Sequence, residues 1–391
     1  MTRRTIVAGR RDRLFAFITV AGSLVLTFGA LEIGLRLLGI DGRPLPPRQV
    51  EVSYDGQWQP IGEWGTSSLK RVSPYPEVMM GEYIPNITFR FVYTDRGGLF
   101  SRERWKKRAV MNRINSHGLR GREIAAAAPP GTVRLLMVGD SFTYGEGVED
   151  DEAFSRKLEE ILNGTLTKER GGLRYETINA GVSGYNTHDE YVYLKNRWID
   201  FNPDMVVIVF YLNDAYDDSK FFSLITGAGA GASLEGAKAS RSPSRAVEWV
   251  TNRLNRLKVA KQVKSIYQKQ FSGTPTIEGY DWNDSRRALG EAKALTGRHG
   301  AGLALVIFPE LYELTEKYPF KNIHDRVREA AEELGIPVLD LLDTFTGEAP
   351  ETLWVHETDH HPNARAHEIA AGAIHRFLTD PRYSLLEKAQ Q

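Results

Sequence analysis

The chain is expected to fold as an α/β protein built on a parallel five-stranded sheet, preceded by a small β-rich segment and one apolar N-terminal helix. Three observations predict this. From Val133 onward, apolar strand-like runs alternate with amphipathic helical stretches. Residues 41–130 are rich in Pro, Gly and aromatics, with short alternating runs such as Ile87–Tyr93. Leu14 to Leu31 is an uncharged apolar run. Parallel strands need long crossovers between them, and helices that cover both faces of the sheet supply these, so regular strand–helix alternation is the signature of such a sheet.

The strands read from the sequence are Val133–Gly139, Tyr175–Ala180, Met205–Leu212, Leu303–Phe308 and Pro337–Leu341, with helices near 152–163, 187–200, 284–298, 322–335 and 363–379. Five parallel strands wound in this βαβ series suggest a flavodoxin-like three-layer α/β/α domain, with its site at the carboxyl ends of the strands. Three units are expected: residues 1–40 as cytoplasmic tail and transmembrane anchor, 41–130 as a β-rich preface, and 131–391 as the main domain. An insertion at about 217–282 interrupts the main domain. It holds the Gly/Ala-rich run Gly227–Ala232 and a basic segment from Arg245 to Lys269, suited to a lid, a substrate platform or plain packing.

The N-terminal run approaches the length of about 17–25 residues that spans a bilayer as a helix. Arg3, Arg4, Arg10, Arg11 and Arg13 precede it, while the flank beyond Ile40 has no such cluster, so the start of the chain is expected in the cytoplasm and the main domain outside it. Glu32 and Arg36, four apart, can pair on one helix face where the run ends. No A-x-A-like cleavage site follows, which favours an uncleaved anchor over a signal peptide.

Composition excludes several function classes. Lys+Arg and Asp+Glu number 50 each, which removes a global electrostatic case for nucleic acid. There is no cysteine, so thiolate catalysis, disulfides and Cys-ligated zinc are ruled out. The basic stretch Arg102–Arg108 could touch lipid headgroups or an anionic glycan, but a solvated face is the simpler reading.

Four polar stretches fall at the ends of predicted elements: Gly139-Asp140-Ser141-Phe142 after the first strand, Asn179-Ala180-Gly181-Val182-Ser183-Gly184 after the second, Tyr211-Leu212-Asn213-Asp214 after the third, and Asp359-His360-His361-Pro362-Asn363 before the last helix. A serine hydroxyl is a weak nucleophile until an imidazole accepts its proton, and a carboxylate fixes the tautomer of that imidazole. Backbone N–H groups and an Asn amide are suitable donors for a developing oxyanion. Asp140 and Asp214 read first as acceptors that tie loop N–H groups, and Asn179 and Asn186 as turn residues.

In this order the four stretches resemble the SGNH (GDSL-like) hydrolase superfamily over roughly Val133 to Leu378. The resemblance implies Ser141 as nucleophile, His361 as base and Asp359 as its orienting acid, with Glu357 in reserve. It also implies an oxyanion hole of Ser141, Gly184 and Asn213, with Gly181 a nearby contender to Gly184. Two departures stand out: Tyr211 occupies the place of a family glycine, and the usual D-x-x-H is shortened to D-x-H. The absence of G-x-S-x-G and the far-C-terminal His argue against an ordinary α/β-hydrolase.

The cluster of His356, Glu357, Asp359, His360, His361 and His367 could suggest a metal, but no HExxH-like spacing accompanies it. Gly139, Gly145 and Gly147 lack the Lys-Ser/Thr of a phosphate loop. No cofactor and no metal is therefore expected, and nothing points to a particular protein partner. The function implied by the resemblance is removal of acyl groups, O-acetyl above all, from a carbohydrate or cell-envelope polymer. An O-acyltransferase using the same residues, a lipase or lysophospholipase working at the bilayer and a catalytically silent glycan-binding or assembly protein are the alternatives.

Overall fold

The computed structural model describes residues 10–38, 45–215, 244–254 and 282–388, apart from breaks at 47, 64–65, 79, 97–104, 170–171, 252–253, 319 and 384. Arg3, Arg4, Arg102–Arg104, the Gly227–Ala232 run and most of the 217–282 insertion lie outside the described residues.

The five-stranded sheet is formed by β7 (Thr132–Gly139), β8 (Arg174–Gly181), β9 (Met205–Phe210), β10 (Gly302–Ile307) and β11 (Val338–Asp340), in the order β11-β10-β9-β7-β8. All neighbours are parallel. Every residue of β9 and all but the first of β7 are buried, as expected for inner strands covered on both faces. The helices are α3 (Phe154–Glu169), α4 (Thr187–Asn196), α5 (Trp282–Arg298), α6 (Lys321–Glu333) and α8 (Ala364–Thr379), with single turns at α2 (Ser141–Tyr144), α7 (Leu342–Phe345) and α9 (Leu385–Lys388). Each predicted strand and helix is present. Two predicted boundaries move because a 3-10 turn takes over: Leu212 belongs to the turn Leu212–Ala215, and the helix from 187 ends at Asn196 before a separate turn at Trp198–Phe201.

The strand order reverses about β7, with β8 on one side and β9 on the other. Such a switch point opens a crevice at the carboxyl ends of the strands. Register aligns Gly139 with both Gly181 and Val209, so the loops after β7, β8 and β9 emerge side by side.

The preface is a four-stranded antiparallel sheet in the order β2-β1-β5-β6, from β1 (Gln49–Tyr54), β2 (Gln57–Glu63), β5 (Thr88–Arg96) and β6 (Trp105–Arg113). A two-stranded pair, β3 (Lys70–Arg71) and β4 (Glu82–Tyr83), accompanies it. Phe89, Phe91 and Tyr93 point inward from alternate positions of β5 and join the same apolar core as β7 and β9.

α1 (Arg10–Leu37) is 28 residues long, about 42 Å of helix at the usual rise. Its Leu14–Leu37 stretch is long and apolar enough to cross a membrane, and none of its most apolar window is buried in the protein. Glu32 and Arg36 pair at 2.6 Å near its end, where the Glu32 carboxylate also accepts hydrogen bonds from Ser244 Oγ and Ala246 N–H at 2.9 Å. A short helical stretch over 245–251 thereby touches the end of α1.

Candidate active site

Ser141 is the first residue of α2, two positions beyond β7. Asp140 caps that turn, accepting from Phe142 N–H at 2.8 Å. The turn packs directly on the end of β8, where a Cβ at Gly181 would lie 2.2 Å from Tyr144 N, so only glycine permits the approach. Burial raises Asp140 to about 6.

His361 and Asp359 lie on a hairpin that the sequence reading did not foresee, β12 (Trp354–His356) and β13 (Asp359–Pro362). Extended backbone sends residues i and i+2 to the same face. That explains the D-x-H spacing: Asp359 and His361 point inward together, while the intervening His360 is exposed and stacks on Trp354 at 4.0 Å.

The hydrogen-bond series is continuous. His361 Nε2 lies 2.9 Å from Ser141 Oγ and Nδ1 lies 2.6 Å from Asp359 Oδ1. An ionised Asp359 keeps the proton on Nδ1, which leaves Nε2 free to accept from the serine hydroxyl. Glu357 is exposed in the hairpin turn, and it is Asp359 that meets the imidazole.

Two preface residues hold the far oxygen of Asp359. Arg48, just ahead of β1, donates to Oδ2 at 2.8 Å, and Tyr93 of β5 donates to the same atom at 2.8 Å. Arg48 also pairs with Glu146. Burial alone would raise the Asp359 carboxyl, but the Arg48 and His361 charges hold it far below the ordinary range. Burial works against a charged His361, and the charge and hydrogen bond of Asp359, with the charge of Glu146, outweigh it and raise the imidazole above its ordinary value.

Among the oxyanion candidates, Gly181 N–H is already bound by Asn179 Oδ1 at 3.0 Å. Gly184 lies in the turn closed by Tyr185 N–H to Val182 O at 3.0 Å, and its own N–H has no acceptor among the described residues. The preface staples this turn too: Lys70 Nζ donates to Ser183 O, and Tyr83 Oη lies 2.8 Å from Ser183 Oγ. Asn213 sits in the 3-10 turn after β9 with its amide beside Asp140 and its Oδ1 unpartnered. Asp214 ties that turn by accepting from Tyr211 N–H at 2.5 Å. Asn186 caps α4 through Asp189 N–H at 3.0 Å.

Tyr211, at the place of the family glycine, turns its ring onto Phe142 at 3.9 Å and donates its hydroxyl to Glu310. The departure is thus absorbed by an aromatic stack beside the serine turn. The remaining histidines of the cluster have other bonds: His356 with Thr358 and Thr94, and His367 as acceptor from Phe154 N–H at 3.2 Å, with burial lowering it to about 3. Among the described residues no three His, Asp or Glu side chains are grouped as a metal would require.

The residues that sequence reasoning missed are Arg48, Tyr93, Lys70 and Glu146. For the first three no local motif exists. Gly145-Glu146-Gly147 did offer a signal, an acid between two glycines directly after the serine turn.

A series of hydroxyl, imidazole and carboxylate beside an unpaired backbone N–H and a nearby Asn amide can carry out acyl transfer. The model of the GDSL-like Lipase/Acylhydrolase family matches residues 137–369. No curated protein matches the chain. Among solved structures, the acetylxylan esterase Axe2 of Geobacillus stearothermophilus is similar at 16% identity and a TM-score of 0.39, over 63% of this chain and 94% of that one. A lipolytic protein of the G-D-S-L family from Desulfitobacterium hafniense is similar at 13% identity and a TM-score of 0.32, over 63% and 99%. An acetyl xylan esterase, AlAXEase, is similar at 16% identity and a TM-score of 0.38, over 62% and 98%. With the family model covering more than half its length, the chain belongs to the GDSL-like lipase/acylhydrolase family, as a serine esterase of the SGNH type.

Proposed function

We propose that the chain removes acyl groups, O-acetyl in particular, from a carbohydrate or cell-envelope polymer through an acyl-Ser141 intermediate. The observation that carries this reading is the unbroken series Ser141–His361–Asp359 at the switch point of the sheet. Ser141 Oγ attacks the ester carbonyl as its proton passes to His361 Nε2. Asp359 fixes the ring and stabilises its charge. The oxyanion receives the N–H groups of Ser141 and Gly184 and the Asn213 amide, each donor contributing on the order of 3 kcal/mol to the transition state. Protonated His361 then gives its proton to the departing sugar oxygen, and a water activated by the same imidazole releases the acyl group.

In this reading α1 is an uncleaved anchor with the arginine-rich start inside, so the site works outside the cytoplasm at the membrane. The carbohydrate substrate is inferred from the family resemblance together with that anchor.

The test is turnover of an aryl acetate with and without a sugar acceptor. Release of free acetate in both cases, lost in Ser141→Ala, is the expected result. Acetyl appearing on the sugar in preference to water would replace hydrolysis with transfer, and unchanged turnover by Ser141→Ala would remove the serine mechanism.

A further inference from the structure

Glu146 is a buried acid that the serine–histidine–aspartate series does not use. It follows α2 in a tight reversal: Gly145 and Gly147 on either side have φ of 84° and 88°, conformations that glycine adopts freely. Gly147 is also pressed against Tyr93 and Val355, where a Cβ would come within 2.7 Å of the tyrosine hydroxyl. The reversal turns the Glu146 carboxylate back toward the site. Its Oε2 lies 3.9 Å from His361 Nε2 and is paired with Arg48, and the side chain is only 4% exposed. Arg48 therefore bridges two carboxylates, Asp359 at the Nδ1 end of the imidazole and Glu146 at the Nε2 end.

We propose that Glu146 is a positioning residue: a second carboxylate, on the Nε2 side of His361, that holds the edge of the ring facing Ser141 and stabilises its protonated form. This rests on the roles given above to Ser141 and His361. In the first step the Ser141 O–H bond breaks, its oxygen bonds to the carbonyl carbon, and the proton arrives on Nε2. In collapse the carbon–oxygen bond to the leaving alcohol breaks, and Nε2 returns the proton to that oxygen. Between the two events the ring is cationic, with a carboxylate near each nitrogen. Arg48 offsets part of the pull of the two acids, since its own charge opposes protonation of His361.

The ionisable groups around His361 come from six places. They are Asp359 on β13, Glu146 after α2, Arg48 before β1, Asp140 at the end of β7, Glu310 after β10 and His367 on α8. Glu146 and Arg48 act on the ring with opposite sign, and Arg48 also holds the far oxygen of Asp359.

The experiment is the pH profile of kcat/KM for an aryl acetate, measured on the full-length chain in detergent. His361 must be neutral to act as base, so activity falls as pH drops through its folded value. Glu146→Gln should move that acid limb down by roughly one pH unit and lower plateau kcat about tenfold with little change in KM. Arg48→Gln should move the limb up. Glu146→Asp keeps the charge and should hold the limb near wild type, and it serves if the glutamine variant melts early. Loss of activity without limb movement in either direction, or an aspartate limb displaced as far as the glutamine one, overturns the proposal. Prior labelling of wild-type Ser141 by a fluorophosphonate separates the two readings: no label at Ser141 removes the parent mechanism, whereas label with unmoved limbs removes only the role of Glu146.

Discussion

The two sheets contribute to one site in different ways. The parallel sheet brings Ser141, Gly184 and Asn213 on loops that leave neighbouring strand ends, each inside a short polar stretch following an apolar run. The antiparallel preface sheet brings Arg48 and Tyr93 from within or beside its strands, and both end on the same oxygen of Asp359. In the proposed mechanism the parallel sheet presents the reacting groups, while the preface holds the carboxylate behind them. A residue in the first class is announced by its neighbours in sequence; one in the second is defined only by what lies across the interface.

The comparison predicts a graded set of losses. The largest is expected at Asp359, where the two classes meet. Asp359→Asn should favour the wrong imidazole tautomer and lower kcat by about 10⁴, while Glu357→Gln stays near wild type. The opposite ranking, measured on an aryl acetate, would move the orienting role to Glu357.

An intermediate loss is expected at Asn213 on the parallel sheet. Its amide should bond the oxyanion better than the ground-state carbonyl, so Asn213→Ala should depress kcat by about 10²–10³ with KM little changed. Unchanged kcat in a variant that melts normally would remove Asn213 from the oxyanion hole.

The smallest loss is expected in the preface. Tyr93→Phe deletes one hydrogen bond to a buried carboxylate that still keeps Arg48, and should cost about tenfold in kcat without altering KM. A loss equal to that of Asp359→Asn would show the preface to be as indispensable as the series itself. No loss at all would reduce Tyr93 to packing.

The same division explains how much was legible beforehand. The strands and helices of the parallel sheet follow from apolar periodicity, because strands buried on both faces must be apolar throughout and amphipathic helices must cover them. The D-x-H spacing looked like a departure because the hairpin carrying it is only three and four residues long and lacks a run of β-forming residues. Its meaning appears once the backbone is seen to be extended. Tyr93 sits in the alternating run Ile87–Tyr93, where its ring reads as ordinary core, and nothing nearby in sequence says that the hydroxyl meets a carboxylate 266 residues away. Arg48 follows the run Pro44-Leu45-Pro46-Pro47, and its two acids lie 98 and 311 residues further along the chain. Long-range charge pairing of this kind leaves no periodic trace in one sequence.

The central claim is that Ser141 becomes covalently acylated because His361 draws off its proton. The most direct measurement is mass analysis of the Ser141 peptide after reaction with a fluorophosphonate, in wild type and in His361→Ala. A single adduct on Ser141 that forms rapidly in wild type and is nearly absent in His361→Ala is the predicted result. An adduct on another residue, or equal labelling of Ser141 without the imidazole, would contradict it.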